Sequence, residues 1–590
     1  MNRKIQILSL LFLGFSQVAY TQIREEKLIL DRQRTPEVKK IEKKKTSVVT
    51  EKNYPPEEKS SVPVNYEIEN VPPVSDFKTS TIQGEDISPK FDADYQNNYF
   101  QIGMGNYGKL LADGNISTTL ENKMEVGADL HFLQTNGLKK VYPWSSDQST
   151  ANVGAYLNSY GEQGKFNINA DYGLNDYNYY GIYAMTPDEG VDLQQKTNRF
   201  RVNGYYDFYS NEILNDVRVK SSFLSDRFDA NEVAGELALN LSKHQLEIPT
   251  GNGILMKGDL GLKLETQRSE FELLNQNSSS FFNATVAPKV TFYRGDSYLM
   301  IGSDFSFLNS THNTLFASEE LKSNKTYWFP RAEVQVAAQD EFKFYGGVEG
   351  GLRMNSYADL LEQNPYLLSD QELRPTETKY KFYFGLRGDV DQMFKYDVRA
   401  GFGKMNNILF YRANGLINKQ IDADRAPYDF INTFSAAYDN GTVSEVSGSV
   451  QYFPLQNLIL DAELNFQKFT LDNQDHIYNI PLVSAAVGGK YSMLGKKLNL
   501  GAKMFFVSDR TTNSYSIEEV GIPGFEYVTS ENIDDKVGGY ADLNLSAEYR
   551  IHKNFSIFAL GNNLLNTNYQ TYKGYKVLGA QILGGVKISF

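Results

Sequence analysis

From Tyr540 the chain alternates without a break. Ala541, Leu543, Leu545, Ala547, Tyr549 and Ile551 fall on one side, with Tyr540, Asp542, Asn544, Ser546, Glu548 and Arg550 on the other. A period of two with every charge on one side describes a strand with one apolar and one wet face. After a break at His552–Asn554, Phe555, Ile557 and Ala559 share a face. The last strand sets Leu578, Ala580, Ile582, Val586, Ile588 and Phe590 against Gln581, Lys587 and Ser589. The same grammar recurs upstream. Tyr380, Phe382, Phe384 and Leu386 oppose Lys381 and Arg387; Tyr396, Val398, Ala400 and Phe402 oppose Asp397 and Arg399; Leu460, Ala462, Leu464 and Phe466 oppose Asp461, Glu463 and Asn465. One such segment is a weak signal, and the argument lies in the repetition.

Read from Tyr95 onward, the pattern predicts two strands around a Gly-rich turn at Gly105–Gly108 and a third over Met124–Phe132. Further strands are expected near 150–160, 163–175, 195–209, 213–226, 229–243, 254–271, 280–293, 297–309, 326–339 and 341–354. The rest are expected near 377–391, 394–408, 427–453, 456–468, 481–493, 496–508, 537–550, 553–563 and 576–590. That is about 22 strands, an even number, as a single-chain bacterial barrel with both ends in the periplasm requires. Parity decides one placement: "YDNGT" inside 427–453 looks like a hairpin turn. Reading it so would break the order of short periplasmic turns and long outer loops, so Asp439–Thr442 is expected to be a bulge in one long strand. Lys or Arg facing lipid at the midplane costs about 2–4 kcal/mol, so the charged faces belong to the lumen. Roughly twenty consecutive half-wet strands have no compact two-layer arrangement in water. The expected fold is all-β: a transmembrane antiparallel β-barrel with long extracellular loops at 135–149, 176–194, 310–325, 355–376, 409–426, 469–480 and 509–536.

The final stretch, with "NNLLNTNY" (Asn562 to Tyr569) after an alternating strand and a terminal Phe590, resembles the end of TonB-dependent outer-membrane receptors. "NPYLLSDQELRPTETKYKFYFGLRG" (Asn364 to Gly388) resembles that family's passage from a long outer loop into a descending strand. The resemblance covers roughly residues 95–590 and implies an outer-membrane receptor. It also implies a folded plug and a TonB-contacting box ahead of the barrel. Neither is recognisable here, so no gating residue carries over.

The opening "MNRKIQILSLLFLGFSQVAYTQ" pairs Arg3 and Lys4 with an apolar core from Ile5 to Phe15, which predicts a secretory signal over 1–21. Residues 22–93 are expected to be a charged, largely disordered periplasmic segment, and 94–590 the barrel. Gln22–Lys59 carries 11 Lys/Arg and 8 Asp/Glu. Removing the signal's net +2 and this net +3 from −13 leaves −18 on the remainder. The basic lead is then either a solvated linker or a segment held against an acidic lumen or partner. Within Val64–Phe77, alternating Val64, Tyr66 and Ile68 run into Pro72 and Pro73. This piece is either a connector in the barrel mouth or an edge strand added to a partner. The mean hydropathy of −0.44 mimics a soluble protein because only alternate barrel residues meet lipid.

Chemistry is sparse. There are no cysteines, and His131, His244, His312, His476 and His552 are scattered, so no metal, cofactor or catalytic residue is nominated. No GxSxG elbow, HExxH or phosphate-cradling loop occurs, and an enzyme is not expected. Tyr172, Tyr177, Tyr179, Tyr180 and Tyr183 either stack on a ligand or pack loops and girdle. The expected partners are outer-membrane lipid and other outer-membrane or periplasmic proteins. No nucleic acid is expected, and no small-molecule ligand can be named. The leading expectation is a non-transporting subunit or scaffold of an outer-membrane complex. The alternatives are TonB-dependent uptake of a carbohydrate, peptide or metal chelate with the lumen plugged by a partner or the tail, or passive flow.

Overall fold

A computed structural model describes residues 98–590 apart from 121–122, 210, 248–252, 314–320, 340, 422–423 and 519–525. The expectations for 1–93 and the strand start at Tyr95 lie outside the described residues.

The wall begins with β1 (Tyr99–Gly105), β2 (Leu110–Leu120), β3 (Met124–Thr135), β4 (Gln148–Tyr160), β5 (Gly164–Asn178), β6 (Gln194–Phe208) and β7 (Leu214–Asp226). It continues through β8 (Asn231–Glu247), β9 (Leu255–Phe271), β10 (Asn277–Arg294), β11 (Ser297–Asn313), β12 (Leu321–Gln339) and β13 (Phe342–Arg353). Then come β14 (Thr376–Val390), β15 (Phe394–Ala413), β16 (Phe434–Leu455), β17 (Leu458–Leu471), β18 (Val483–Met493) and β19 (Leu498–Val507). Two small hairpins interrupt the rest. β20 (Arg510–Glu518) and β21 (Val528–Val537) precede wall strands β22 (Tyr540–His552) and β23 (Phe555–Asn562); β24 (Gln570–Tyr572) and β25 (Tyr575–Lys576) precede the last wall strand, β26 (Gln581–Ser589). The wall is one 22-stranded antiparallel sheet. It closes where β1 pairs with both β2 and β26, with Tyr99 opposite Ser589 and Met104 opposite Gly584. No helix among the described residues is long and apolar enough to cross a membrane. The strands do the crossing.

Side chains follow the alternation. Phe382 and Phe384 are 56% and 64% exposed on the outside of β14, while Lys381 and Tyr383, which alternate with them, are 6% and 7% exposed. On β22, Leu545, Tyr549 and Ile551 face out, and Asp542, Asn544, Ser546 and Glu548 are buried on the inner side. The inner charges pair across strands. Lys381 Nζ lies 3.2 Å from Glu349 and 3.0 Å from Glu445, and Arg399 reaches Glu349 at 2.6 Å. The Arg399 guanidinium sits 3.7 Å over the Tyr383 ring, whose hydroxyl donates to Glu333 at 2.5 Å. This network ties β12 through β16 together.

Turns at the terminal end are short: 391–393, 456–457 and 553–554 close hairpins. At the first of these Asp391 and Gln392 both take left-handed φ (52° and 58°), the primed-turn geometry that matches strand twist. The other end carries the long loops, and some strands overshoot the membrane. β16 has 22 residues, roughly 70 Å of extended chain against an apolar band about 25 Å tall. Residues 439–442 do lie inside that one strand, as parity demands. The slip in register sits on its neighbour: Asn406 and Asn407 of β15 span the step between Met405, opposite Gly441, and Ile408, opposite Asp439. Asn407 takes φ 51°, and its N–H binds the Asn440 side chain at 3.0 Å. Asp439 meanwhile accepts the Asn473 and Gln474 N–H groups at 3.0 and 2.9 Å, so the "YDNGT" turn residues anchor the next loop. The strand also starts later than the alternation implies, at Phe434 and not at 427, because Phe430 and Ile431 are buried among the loops.

Candidate functional site

At the loop end, segments far apart in sequence share one buried core. Tyr177, Tyr179, Tyr357, Leu360, Tyr366, Leu367, Tyr411, Phe434, Tyr572 and Tyr575 belong to it. Its first support is helix α1 (Tyr357–Gln363) in the loop between β13 and β14. The Ser356 side chain caps it by accepting the Asp359 N–H at 3.1 Å, and Tyr357, Ala358 and Leu360 turn inward. Glu232, on the wall strand β8, accepts the Tyr357 and Ala358 N–H groups at 2.6 and 3.0 Å and the Ser269 hydroxyl at 2.7 Å. Asp226, at the end of β7, accepts Tyr357 Oη at 3.0 Å, Ser369 Oγ at 2.5 Å and the Phe228 and Ala230 N–H groups. Two carboxylates of the wall thus pin the β13–β14 loop.

Bonds then cross the mouth. Asn432, in the β15–β16 loop, donates to Tyr179 O at 2.7 Å, although Tyr179 follows β5, ten wall positions away in a ring of 22. Tyr179 Oη donates to Leu367 O at 2.8 Å, eight positions from its own strand. A ring of this size is roughly 40 Å across, so these contacts lie over the lumen and not along the rim. The β19–β22 loop joins through Tyr515 N–H, which donates to Tyr183 Oη at 3.1 Å. The β23–β26 loop fills the middle. Tyr572 Oη donates to Gln363 O at 3.1 Å, Tyr575 Oη donates to Asn432 O, and Tyr575 stacks on Tyr366 with ring centres 3.4 Å apart. Burial pushes the Tyr366, Tyr572 and Tyr575 phenols far above their ordinary range, and that of Tyr142 up to about 12, so all remain neutral donors. Burial also raises Asp370 and Asp429; Asp429 pairs with Arg425 at 3.0 Å and accepts Ile417 N–H at 2.8 Å.

Of the tyrosines singled out from sequence, Tyr177, Tyr179, Tyr180 and Tyr183 serve this assembly, whereas Tyr172 is 44% exposed on the wall. All four contact neighbouring loops. The histidines stay apart: His131 meets Asp113 at 3.6 Å, His312 meets Ser279 at 3.1 Å, and His476 meets Asp534 at 2.6 Å. Among the described residues no cluster of metal-ligating side chains forms. The alternation did not find Glu232, Asp226, α1 or the pair of hairpins. A spacing of three between Tyr569, Tyr572 and Tyr575, followed around Gly574, was the available sign of the last one.

The fold has close parallels among solved structures. The pyoverdine receptor FpvA of Pseudomonas aeruginosa bound to pyoverdine superposes with a TM-score of 0.58 at 10% identity, covering 84% of this chain and 78% of that one. The siderophore receptor PiuA of Acinetobacter baumannii gives 0.57 at 10% identity, over 84% and 82%. The copper transporter OprC gives 0.51 at 12%, over 84% and 80%. What this chain shares with these receptors and transporters is the fold, a closed 22-stranded antiparallel barrel. No protein-family model matches the sequence, and no curated protein does. The exposed Phe382, Phe384, Leu545 and Ile551 give this barrel an apolar outer wall of the kind that faces lipid. The expectation of a missing plug concerns residues 22–93, outside those described.

Proposed function

We propose that this receptor-type barrel is a non-transporting subunit or scaffold of an outer-membrane protein complex. One observation carries the reading: the outer loops are bonded to one another across the mouth, from Tyr179 to Asn432 and Leu367. A passive channel keeps its mouth open, and an importer needs loops that admit solute; a self-packed assembly suits a rigid face presented to another protein. Purification of the full chain in mild detergent is expected to bring down stoichiometric partners, and planar bilayers holding the purified protein are expected to stay silent. A clean solitary barrel, or large steady currents, would overturn the reading. The likeness to siderophore and copper receptors favours a second reading, uptake of a metal chelate with the lumen plugged by a partner or the tail. Loss of growth on a particular chelate after deletion, dependent on TonB, would establish it. The solved neighbours are transport receptors, which supports a non-enzymatic role in either case.

A further inference from the structure

We infer that Lys404 and Lys468, with the hydroxyls of Thr442, Ser444 and Thr470 beside them, form a site on the outer wall for the phosphate of an outer-leaflet lipid. The inference goes beyond the subunit reading and needs only a barrel standing in a membrane.

The outward faces of β15, β16 and β17 change character at one height. From the lower turn, the outward column of β15 runs Phe394, Tyr396, Val398, Ala400 and Phe402, and the next outward residue is Lys404. That of β17 runs Leu458, Leu460, Ala462, Leu464 and Phe466, and the next is Lys468. Between them β16 passes from Tyr452, Val450, Gly448 and Val446 to Ser444 and Thr442. Each lysine stands ten residues above the first residue of its strand, Phe394 or Leu458. At about 3.4 Å per residue and a tilt near 40°, such a climb is roughly 26 Å, against an apolar band about 25 Å tall. Both ammoniums thus stand where acyl chains give way to headgroups.

Register brings the two lysines together. Lys404 stands opposite Thr442, and Thr442 opposite Thr470. One row lower, Phe402 stands opposite Ser444, and Ser444 opposite Lys468. The lysines therefore hold opposite corners of a tile three strands wide, with hydroxyls at three of its other positions. Strands about 4.8 Å apart and rows about 7 Å apart put their Cα atoms ~12 Å from each other, a span that two flexible lysine stems can close on one phosphate. Among the described residues neither lysine has an ion-pair partner. The inner face differs, because Lys381 there lies between Glu349 and Glu445, and so do the loops, where Arg412 meets Glu531 and Arg425 meets Asp429. Two like charges at headgroup height, above the exposed Phe402 and Leu464, are complementary to a phosphate carried on acyl chains. An uncharged or zwitterionic headgroup would leave them less well compensated.

The test titrates the purified full chain in detergent micelles with phosphatidic acid, a phosphomonoester lipid, and with phosphatidylcholine, and counts bound lipid by native mass spectrometry. Heat-dependent mobility on gels confirms that each barrel is folded. The native chain is expected to prefer phosphatidic acid. Lys404→Gln and Lys468→Gln are each expected to weaken that binding about fivefold, and together about thirtyfold, the factors equal to ~1 kcal/mol per lysine. Arginine at both positions should keep the preference, and Lys139→Gln, on an exposed loop, should leave it unchanged. If the double variant fails to fold, the two single variants decide. Folded glutamine variants that bind phosphatidic acid as the native chain does would overturn the site, as would an equal loss in Lys139→Gln. Displacement of the lipid by inorganic phosphate at the same concentration would overturn the lipid as its occupant. Protein partners are scored on the same preparations, so failure of the lipid site and failure of the subunit reading are separate outcomes.

Discussion

Replacing Glu232 by alanine tests whether the loop assembly is pinned to the wall as described. The carboxylate is 2% exposed and accepts two helix N–H groups at 2.6 and 3.0 Å and the Ser269 hydroxyl at 2.7 Å. Hydrogen bonds to a charged group contribute about 1.5–3 kcal/mol each, and recovering the desolvation cost of the carboxylate cancels part of the total. A net loss of about 2–4 kcal/mol is the reasonable size. A seven-residue helix has no stability of its own to fall back on, so the loss is local. Hydrogen exchange in detergent micelles reads it: protection at residues 355–364 should fall by roughly 30- to 700-fold if those amides exchange through local opening. Amides of the membrane-embedded parts of β9, β10 and β11 should be unchanged. Unaltered protection at Tyr357 and Ala358 would refute the pinning argument, and equal losses throughout the wall would show that Glu232 supports the barrel and not the loop.

Lys381→Met leaves Glu445 without its cation inside the wall and should destabilise the barrel by about 3–5 kcal/mol in urea unfolding from lipid vesicles. Adding Glu445→Gln should recover much of that loss, and no recovery would show that the pair is not coupled. Phe384→Arg, on the lipid face of the same strand, should cost about 2–4 kcal/mol in the same assay if Phe384 lies near the midplane, and a neutral result would contradict its orientation. Asp370 is raised by burial, although Asn275 N–H and Asn277 Nδ2 bind it at 2.9 and 2.7 Å. Its favourable contribution is therefore full below the ordinary carboxylate pKa of about 3.9 and declines as pH climbs through the raised value. Asp370→Asn should flatten that part of the pH dependence of protection at 272–276, and an unchanged slope would exclude Asp370 as its source.

The wall was legible because lipid and lumen impose opposite demands on adjacent residues. Phe382 and Phe384 against Lys381, or Leu543 and Leu545 against Asp542 and Asn544, leave one orientation open, and parity then fixed the order of turns. The loops were less legible because inside the assembly both neighbours of a residue can be apolar. Tyr428, Phe430 and Ile431 read as the start of a strand, yet they pack among loops, and β16 begins only at Phe434. A local signal for α1 did exist: Ser356 followed three residues later by Asp359, with Tyr357, Leu360 and Leu361 at helical spacing. Nothing local marked Glu232 as its anchor, since that contact joins residues 125 apart. The bulge shows the same division: pattern placed it in the right strand pair, while side-chain geometry at Asn407 and Asn440 decided which strand carries it.

The Lys381–Glu349–Arg399–Glu445 set works like the hoop on a cask. Strands of a closed sheet can slide only together, and ion pairs bridging β13 to β16 hold those four staves in register. A fixed girth gives a fixed span above it, so groups launched from opposite rims, such as Asn432 and Tyr179, meet at hydrogen-bond distance. Loosening the hoop would then be felt first not in the wall but in the vault it carries.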